Sequence, residues 1–297
     1  MQGLSILIAS FGPPEEGLVD SLSDQAQRLD IPFEILVSDD QPSQGKEEED
    51  PSWSIRTFYR QQPLGRSGNR NFLADQAKYQ HLLFLDGDSK IGHSEFLSRY
   101  WIARDQAPVI CGGTDYQTQP PSAERQLRWK YGKAREIRSA KERNQNPTAG
   151  FSSFNFLIRD DLFQRLGFDN SLNGYGHEDT LFGKTLKHHC IEVLHIDNPL
   201  IHMGLDTNVE FLEKSLHAVG NLWQLIQEGK VDEDITLYHW YSRLQKAHLL
   251  KAFAHIFRLF QKSWEKRILE EHSLRVLDLY KLGFLCVLAS DQGSNKD

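Results

Sequence analysis

The chain has little cysteine, no long apolar run and no excess of positive charge, and each shortage excludes something. Its three cysteines, Cys111, Cys190 and Cys286, are scattered, odd in number and form no CxxC pair. That argues against a disulfide framework or a cysteine zinc site and favours a reducing compartment. The longest apolar run, "LGFLCVLAS" from Leu282 to Ser290, falls far short of the ~20 residues a bilayer-crossing helix needs. The opening "MQGLSILIAS" lacks a basic n-region and runs straight into a strand-like pattern, so no secretory signal is expected. A cytoplasmic location is expected, with any membrane contact peripheral and at the inner face. With 34 Lys and Arg against 41 Asp and Glu, the net charge is −7. A general nucleic-acid surface is excluded, and only a local basic site for phosphate remains open.

Several nucleotide and cation motifs are also missing. "ILIASFGPPEEG" lacks the GxGxxG of a dinucleotide fold, and "LGRSGNRNFL" is followed by no Gly-Lys-Ser/Thr. A calcium loop starting at Asp86 fails at its fifth and twelfth positions, which hold Lys90 and Leu97. No internal repeat or low-complexity segment is present.

What is there is an ordinary globular composition, 39% hydrophobic and 25% charged, long enough for one large α/β domain or for one domain with an appendage. "LSILIAS", "FEILVSDD", "IRTFYRQ" and "HLLFLDGD" read as strands. Leu18, Leu22, Ala26 and Leu29 recur at helical spacing, and "LGRSGNRNFLADQAKYQ" is a glycine turn leading into a helix. "PSQGKEEEDPS" reads as an acidic loop. This β-α-β-β-α-β order predicts a doubly wound, mixed and mostly parallel sheet. Ligands bind at the carboxyl ends of such strands, which here carry Ser10, Asp39, Asp40, Asp86 and Asp88. Further on, "ERQLRWKYGKAREIRSAKERNQ" is basic and helical, "IEVLHIDNPLIH" holds one or two strands, and nearly everything after Asp206 is helical.

Asp86 and Asp88 flank Gly87. Two carboxylates that close cost free energy unless a cation sits between them or one holds a proton. Alone, the pattern suits a solvated turn as well as a Mg²⁺ or Mn²⁺ site. Gly65, Gly68, Arg66 and Arg70 stand before a helix, and such an N-terminus with nearby arginines attracts phosphate. "NGYGHEDTLFGKTL" places Glu178 and Asp179 after a glycine and aromatic lead-in. As plain first-turn dipole partners they would need no function, and the same dipole would hold the Asp179 pKa low. His202 ends an apolar strand, where a lone histidine is more often structural.

Taken in order, these pieces resemble a family-2 glycosyltransferase of the A-type fold. The matching pieces are "ILIASFG", "EILVSDDQPSQG", "LGRSGNRNFLADQA", "LLFLDGDS", "GFSSFNFLIRDDLFQRLGFD", "GYGHEDTLFG" and "NPLIHM". The resemblance spans residues 3 to 225. Gln41 departs from the usual glycine after the paired Asp. It implies a catalytic domain over residues 1–230, with a nucleotide-binding half to 105 and an acceptor half from 106, and a helical extension over 231–297. Ser10, Phe11 and Asp39 or Asp40 would meet the nucleotide, Arg70 the diphosphate, and Asp86 the ribose side. Asp88 and His202 would hold Mn²⁺ or Mg²⁺. Asp179 would be the general base and Glu178 would hold the acceptor sugar.

The implied reaction moves a sugar from a nucleotide-sugar, UDP-linked by preference, to a hydroxyl of a glycan or lipid-linked acceptor, as in polysaccharide biosynthesis. One base and one metal suit a single in-line displacement with inversion. No acid is needed on a metal-bound diphosphate leaving group, unlike a hydrolase. Two rivals are a sugar-phosphate nucleotidyltransferase, disfavoured by the acidic "ASFGPPEE" loop, and a non-catalytic nucleotide-sugar-binding module. The C-terminal helices are expected to pack on the domain or on a second subunit. The alternative is an interfacial helix, given Phe257, Phe260, Trp264 and nearby basic residues.

Overall fold

The computed structural model describes residues 1–43, 48–50, 54–171 and 176–293. In chain order the elements are β1 (Leu4–Ser10), α1 (Leu18–Arg28), β2 (Phe33–Pro42), β3 (Glu48–Asp50), β4 (Ile55–Arg60), α2 (Gly65–Gln76), β5 (His81–Asp86), β6 (Ser89–Ile91), α3 (Phe96–Ala103), β7 (Val109–Cys111), β8 (Thr114–Tyr116), α4 (Gln126–Arg135), α5 (Ala140–Arg143) and β9 (Asn155–Arg159). They continue as α6 (Asp160–Leu166), α7 (Glu178–His188), β10 (Val193–His195), β11 (Leu200–His202), α8 (Asn208–Gln227), α9 (Thr236–Lys246), α10 (Leu250–Glu271) and α11 (Leu274–Gly293).

The chain divides into two compact units. The first takes residues 1–118, 135–171 and 178–204, and the second takes 119–134, 172–177 and 205–297. By contacts, therefore, α8 groups with the helical tail.

In the first unit an eight-stranded sheet runs β10-β7-β9-β5-β1-β2-β4-β3. Strands β5, β1, β2 and β4 are mutually parallel, while β9 runs antiparallel to both β5 and β7. The mixed, mostly parallel sheet expected from the sequence is thus present. Both faces are covered, which is why β1, β2 and β5 read as unbroken apolar runs. Ile6, Ile8, Leu83 and Leu85 pack with Leu22, Phe96 and Tyr100 on one face. Leu7, Leu82 and Phe84 pack with Leu73, Phe156, Phe163 and Phe182 on the other. Burying each such side chain contributes about 1.5–3 kcal/mol. A small second sheet, β6-β11-β8, lies in the same unit.

Local details differ from the sequence expectation in two places. The acidic loop contains the short strand β3, held antiparallel to β4. The basic helical stretch is broken into α4 and α5, because Ser139 and Glu142 form a capping box that starts a new helix.

In the second unit α8 opens on a capping box of Thr207 and Glu210. Its core joins Leu127, Phe211, Leu212, Phe257, Ile268, Leu277 and Tyr280. The long helical tail is cut into α9, α10 and α11 where His248 and His272 take positive φ, at 58° and 53°. A Cβ at Gly283 would overlap the Phe257 ring, so that glycine lets α10 and α11 meet closely. No helix among the described residues is long and apolar enough to cross a membrane.

Candidate active site

Every sequence-predicted site residue lies in the first unit. The strand order β5-β1-β2 and its register set Asp86 beside Ala9 and Ser10 beside Asp39, so three adjacent parallel strands end on polar groups. Ser10 Oγ donates to the Gly12 carbonyl at 2.6 Å. Asp39 Oδ1 accepts from the N–H groups of Gly12 (2.7 Å) and Gln41 (2.9 Å), which folds the loop after β1 over the strand ends. Gly12 has φ 96°, open to glycine and strained for other residues. Phe11, on that loop, is 71% exposed.

The paired aspartates divide their work. Both oxygens of Asp40 accept backbone N–H groups, from Leu64 and Gly65, each at 2.8 Å. Those are orphan donors at the start of α2, where no N-cap side chain serves. Burial raises the Asp40 pKa, opposed by these two N–H bonds and Arg60. Asp40 therefore anchors a helix, and Asp39 is the member of the pair placed against the loop. Asn69, overlooked in the sequence, donates from α2 to the carbonyls of Ser10 (3.4 Å) and Ser38 (3.1 Å) and ties β1 to β2. Its signal was available: Ser67, Asn69 and Arg70 form a polar face on a helix that must pack on a sheet.

Arg70 is only 2% exposed. Its Nη2 donates to Asp86 Oδ1 at 2.5 Å, and its guanidinium lies 5.6 Å from the Phe168 ring. The structure thus sets Arg70 against Asp86 inside the protein, while Arg66, 44% exposed in the first turn of α2, is the arginine open to solvent.

Asp88 and His202, far apart in the chain, come together. Strand β11 pairs with β6 so that His202 faces Ser89. The Asp88 carbonyl accepts from Met203 N at 2.8 Å. The Asp88 carboxylate lies 3.6 Å from His202 Nε2. The His202 ring sits between Tyr116 and Phe154, at centroid distances of 5.5 and 5.3 Å. Two glycines make this possible: a Cβ at Gly87 would overlap Ser10 Oγ, and one at Gly204 would overlap the Asp88 carboxylate. An oxygen and an imidazole nitrogen at this separation suit one divalent ion. Among the described residues no group of three or more His, Cys, Asp or Glu side chains forms a metal cluster.

Glu178 and Asp179 open α7. Glu178 lies 3.5 Å from Arg66 Nη1 and is 10% exposed. Asp179 Oδ1 is buried with no hydrogen-bond partner among the described residues. The Asp179 pKa is raised to about 6, by burial first and then by the charge of Glu178, against the opposing pull of Arg70 and of the Ser153 hydroxyl and N–H. The expectation that the helix N-terminus holds this pKa low is overturned. A first-turn dipole contributes less than burial and a like charge on the neighbouring residue. Gly174 and Tyr175, the glycine and aromatic lead-in to this helix, lie outside the described residues.

The sequence profile described as glycosyl transferase family 2 matches residues 12–167. No curated protein sequence matches the chain. Among solved structures, the mannosyltransferase PcManGT from Pyrobaculum calidifontis, in complex with GDP-Man and Mn²⁺, has a TM-score of 0.54 at 12% identity, over 98% of this chain and 88% of that one. At that identity the likeness is one of fold. Glucosyl-3-phosphoglycerate synthase from Mycobacterium tuberculosis, in complex with Mn²⁺, UDP and glucosyl-3-phosphoglycerate, has a TM-score of 0.49 at 16% identity over 76% of this chain and 79% of that one. The 1–349 fragment of S. aureus TarS has 0.48 at 17% identity over 99% and 92%. Scores below 0.5 are too low to support a common fold by themselves.

Proposed function

The chain belongs to glycosyl transferase family 2, and we propose that it moves a sugar from a nucleotide-sugar, UDP-linked by preference, onto a hydroxyl of a glycan or lipid-linked acceptor with inversion. The observation that carries this reading is the 3.6 Å approach of Asp88 to His202, in the same unit as a carboxyl whose pKa is raised to about 6.

Asp88 and His202 would hold Mn²⁺ or Mg²⁺, which when bound supplies positive charge for a departing diphosphate. The residues of the chain do the rest. Phe11 offers an exposed ring beside the strand ends for stacking on a base. Asp39, rather than the helix-anchoring Asp40, is the partner for the base or ribose. Ser10 keeps the loop close to Gly87, and Asp86, fixed by Arg70, closes the ribose side. Arg66 is the exposed cation nearest the start of α2 and suits an anionic ligand there.

Asp179 takes the acceptor proton. At neutral pH a carboxyl with a pKa of about 6 is mostly ionised, yet it binds a proton far better than an ordinary aspartate, which is what a general base requires. Glu178, held near Arg66, is placed to accept a hydrogen bond from another acceptor hydroxyl. With Asp179 as the base and Glu178 on the acceptor, transfer proceeds by a single displacement at the anomeric carbon. The Asp179 carboxylate gains the proton and the diphosphate leaves with the bonding pair.

A thermal-shift screen of UDP-, GDP- and dTDP-sugars with and without Mn²⁺ tests the reading. A donor that binds the folded protein raises its Tm. Absence of any Mn²⁺-dependent shift across the screen would remove this proposal.

A further inference from the structure

The second unit carries a feature that sugar transfer does not use. Helix α10 is apolar on two opposite faces. Ala254, Phe257 and Ile268 are buried, and Phe257 and Ile268 belong to the core of the unit. On the other side, Ile256, Leu259 and Phe260 are 43%, 67% and 51% exposed. Their i, i+3, i+4 spacing sets them in one outward row. A helix of a water-facing protein carries polar residues on that side; within the row Phe260 stacks on Trp264 of the same helix at a centroid distance of 6.4 Å, and still half its surface is open.

The charge around the row is equally one-sided. Lys251, Arg258, Lys262, Lys266 and Arg267 outnumber Glu265, Glu270 and Glu271 on α10 itself. Residues 235–293 hold nine Lys and Arg against five Asp and Glu, in a chain that has 34 against 41. The tail is therefore positive on a protein that is otherwise strongly negative. Lys251 and Lys262 are exposed and make no ion pair among the described residues.

We propose that the outward row of α10 docks on an anionic lipid surface, with Ile256, Leu259 and Phe260 entering the headgroup region and Lys251, Lys262 and Lys266 facing lipid phosphates. An exposed apolar row flanked by lysines is the pattern of an interfacial helix. Each basic side chain near such a surface adds attraction that salt screens. A second copy of the chain is the poorer occupant, because a two-fold contact would bring like-charged lysine flanks together. The interfacial alternative from the sequence names Phe257, Phe260 and Trp264. The structure buries Phe257 and half-buries Trp264 against it, and leaves Ile256 and Leu259 exposed beside Phe260.

The experiment is co-sedimentation of the full chain with vesicles of phosphatidylcholine alone and with added phosphatidylglycerol, at low and high salt. The expected result is pelleting on the anionic vesicles only, weakened at least several-fold by high salt. Leu259→Glu combined with Phe260→Glu should abolish it, and Lys262→Glu combined with Lys266→Glu should weaken it at least several-fold. Circular dichroism and gel filtration of each variant should match the parent. Failure of the parent to pellet, equal pelleting on neutral vesicles, or unchanged pelleting of either variant would overturn the proposal. So would a dimer in gel filtration that Leu259→Glu with Phe260→Glu converts to monomer. None of these readouts depends on a donor, so the outcome is separate from that of the transfer reaction.

Discussion

His202 Nε2 lies 3.6 Å from the Asp88 carboxylate, and the approach is built by strand register, ring packing and two glycines. Strand β11 delivers His202 opposite Ser89, one residue past Asp88. Tyr116 and Phe154 fix the ring. Gly204 leaves the room in which the Asp88 carboxylate sits.

Gly204→Ala tests that construction without removing either ligand. The new Cβ would collide with the Asp88 carboxylate, so the carboxylate must turn away from His202. Mn²⁺-dependent nucleotide binding should weaken at least tenfold by calorimetry, with circular dichroism unchanged. Unchanged affinity would show that Asp88 does not need its present position.

Asp40→Ala tests the division of labour between the paired aspartates. It strips two backbone N–H groups at the start of α2 of their acceptors, at a cost of about 1–3 kcal/mol in thermal or urea unfolding. Asp39→Ala loosens the loop after β1 instead and should weaken nucleotide binding more than it lowers Tm. The reverse ranking would exchange their roles.

Asp179 couples function to stability. Its folded pKa of about 6 lies above the ordinary 3.8, so the folded protein holds this proton more tightly than the unfolded chain. The resulting stability is fully present below pH ~4 and is lost as pH rises through about 6. Asp179→Asn should therefore melt above the parent at pH 8, and the gain should vanish near pH 4. Turnover should fall ~10²-fold or more, as for a removed general base. A variant that turns over normally would move the base role to Glu178.

Glu178→Gln removes the like charge beside Asp179, so the Asp179 pKa should drop and the acid limb of the kcat/KM profile should move to lower pH. The KM for acceptor should rise as well, while donor binding is retained. A limb that stays near pH 6 would show that burial alone sets this pKa.

Much of the fold is legible in the sequence because its physics is local. β1, β2 and β5 announce themselves as apolar runs, since both faces of the sheet are covered. The strand ends announce themselves as acids and Ser10. His202 is legible as a strand-ending histidine, but its meeting with Asp88 is not, because it depends on how β11 pairs with β6. The separate duties of Asp39 and Asp40 are invisible for the same reason: neighbours in sequence, they bond to segments on opposite sides of β2. β3 hides in "KEEED" because its residues have little strand preference and only pairing with β4 makes them one. The Asp179 pKa goes astray because the sequence shows the helix start and not the burial.

The most direct test of the account is titration calorimetry of UDP, GDP and dTDP with and without Mn²⁺ on the parent, Asp88→Ala and His202→Ala. The account predicts that at least one diphosphate binds the parent more tightly with Mn²⁺, and that both variants lose that metal dependence while staying folded. Binding of that diphosphate with unchanged metal dependence in both variants would contradict it.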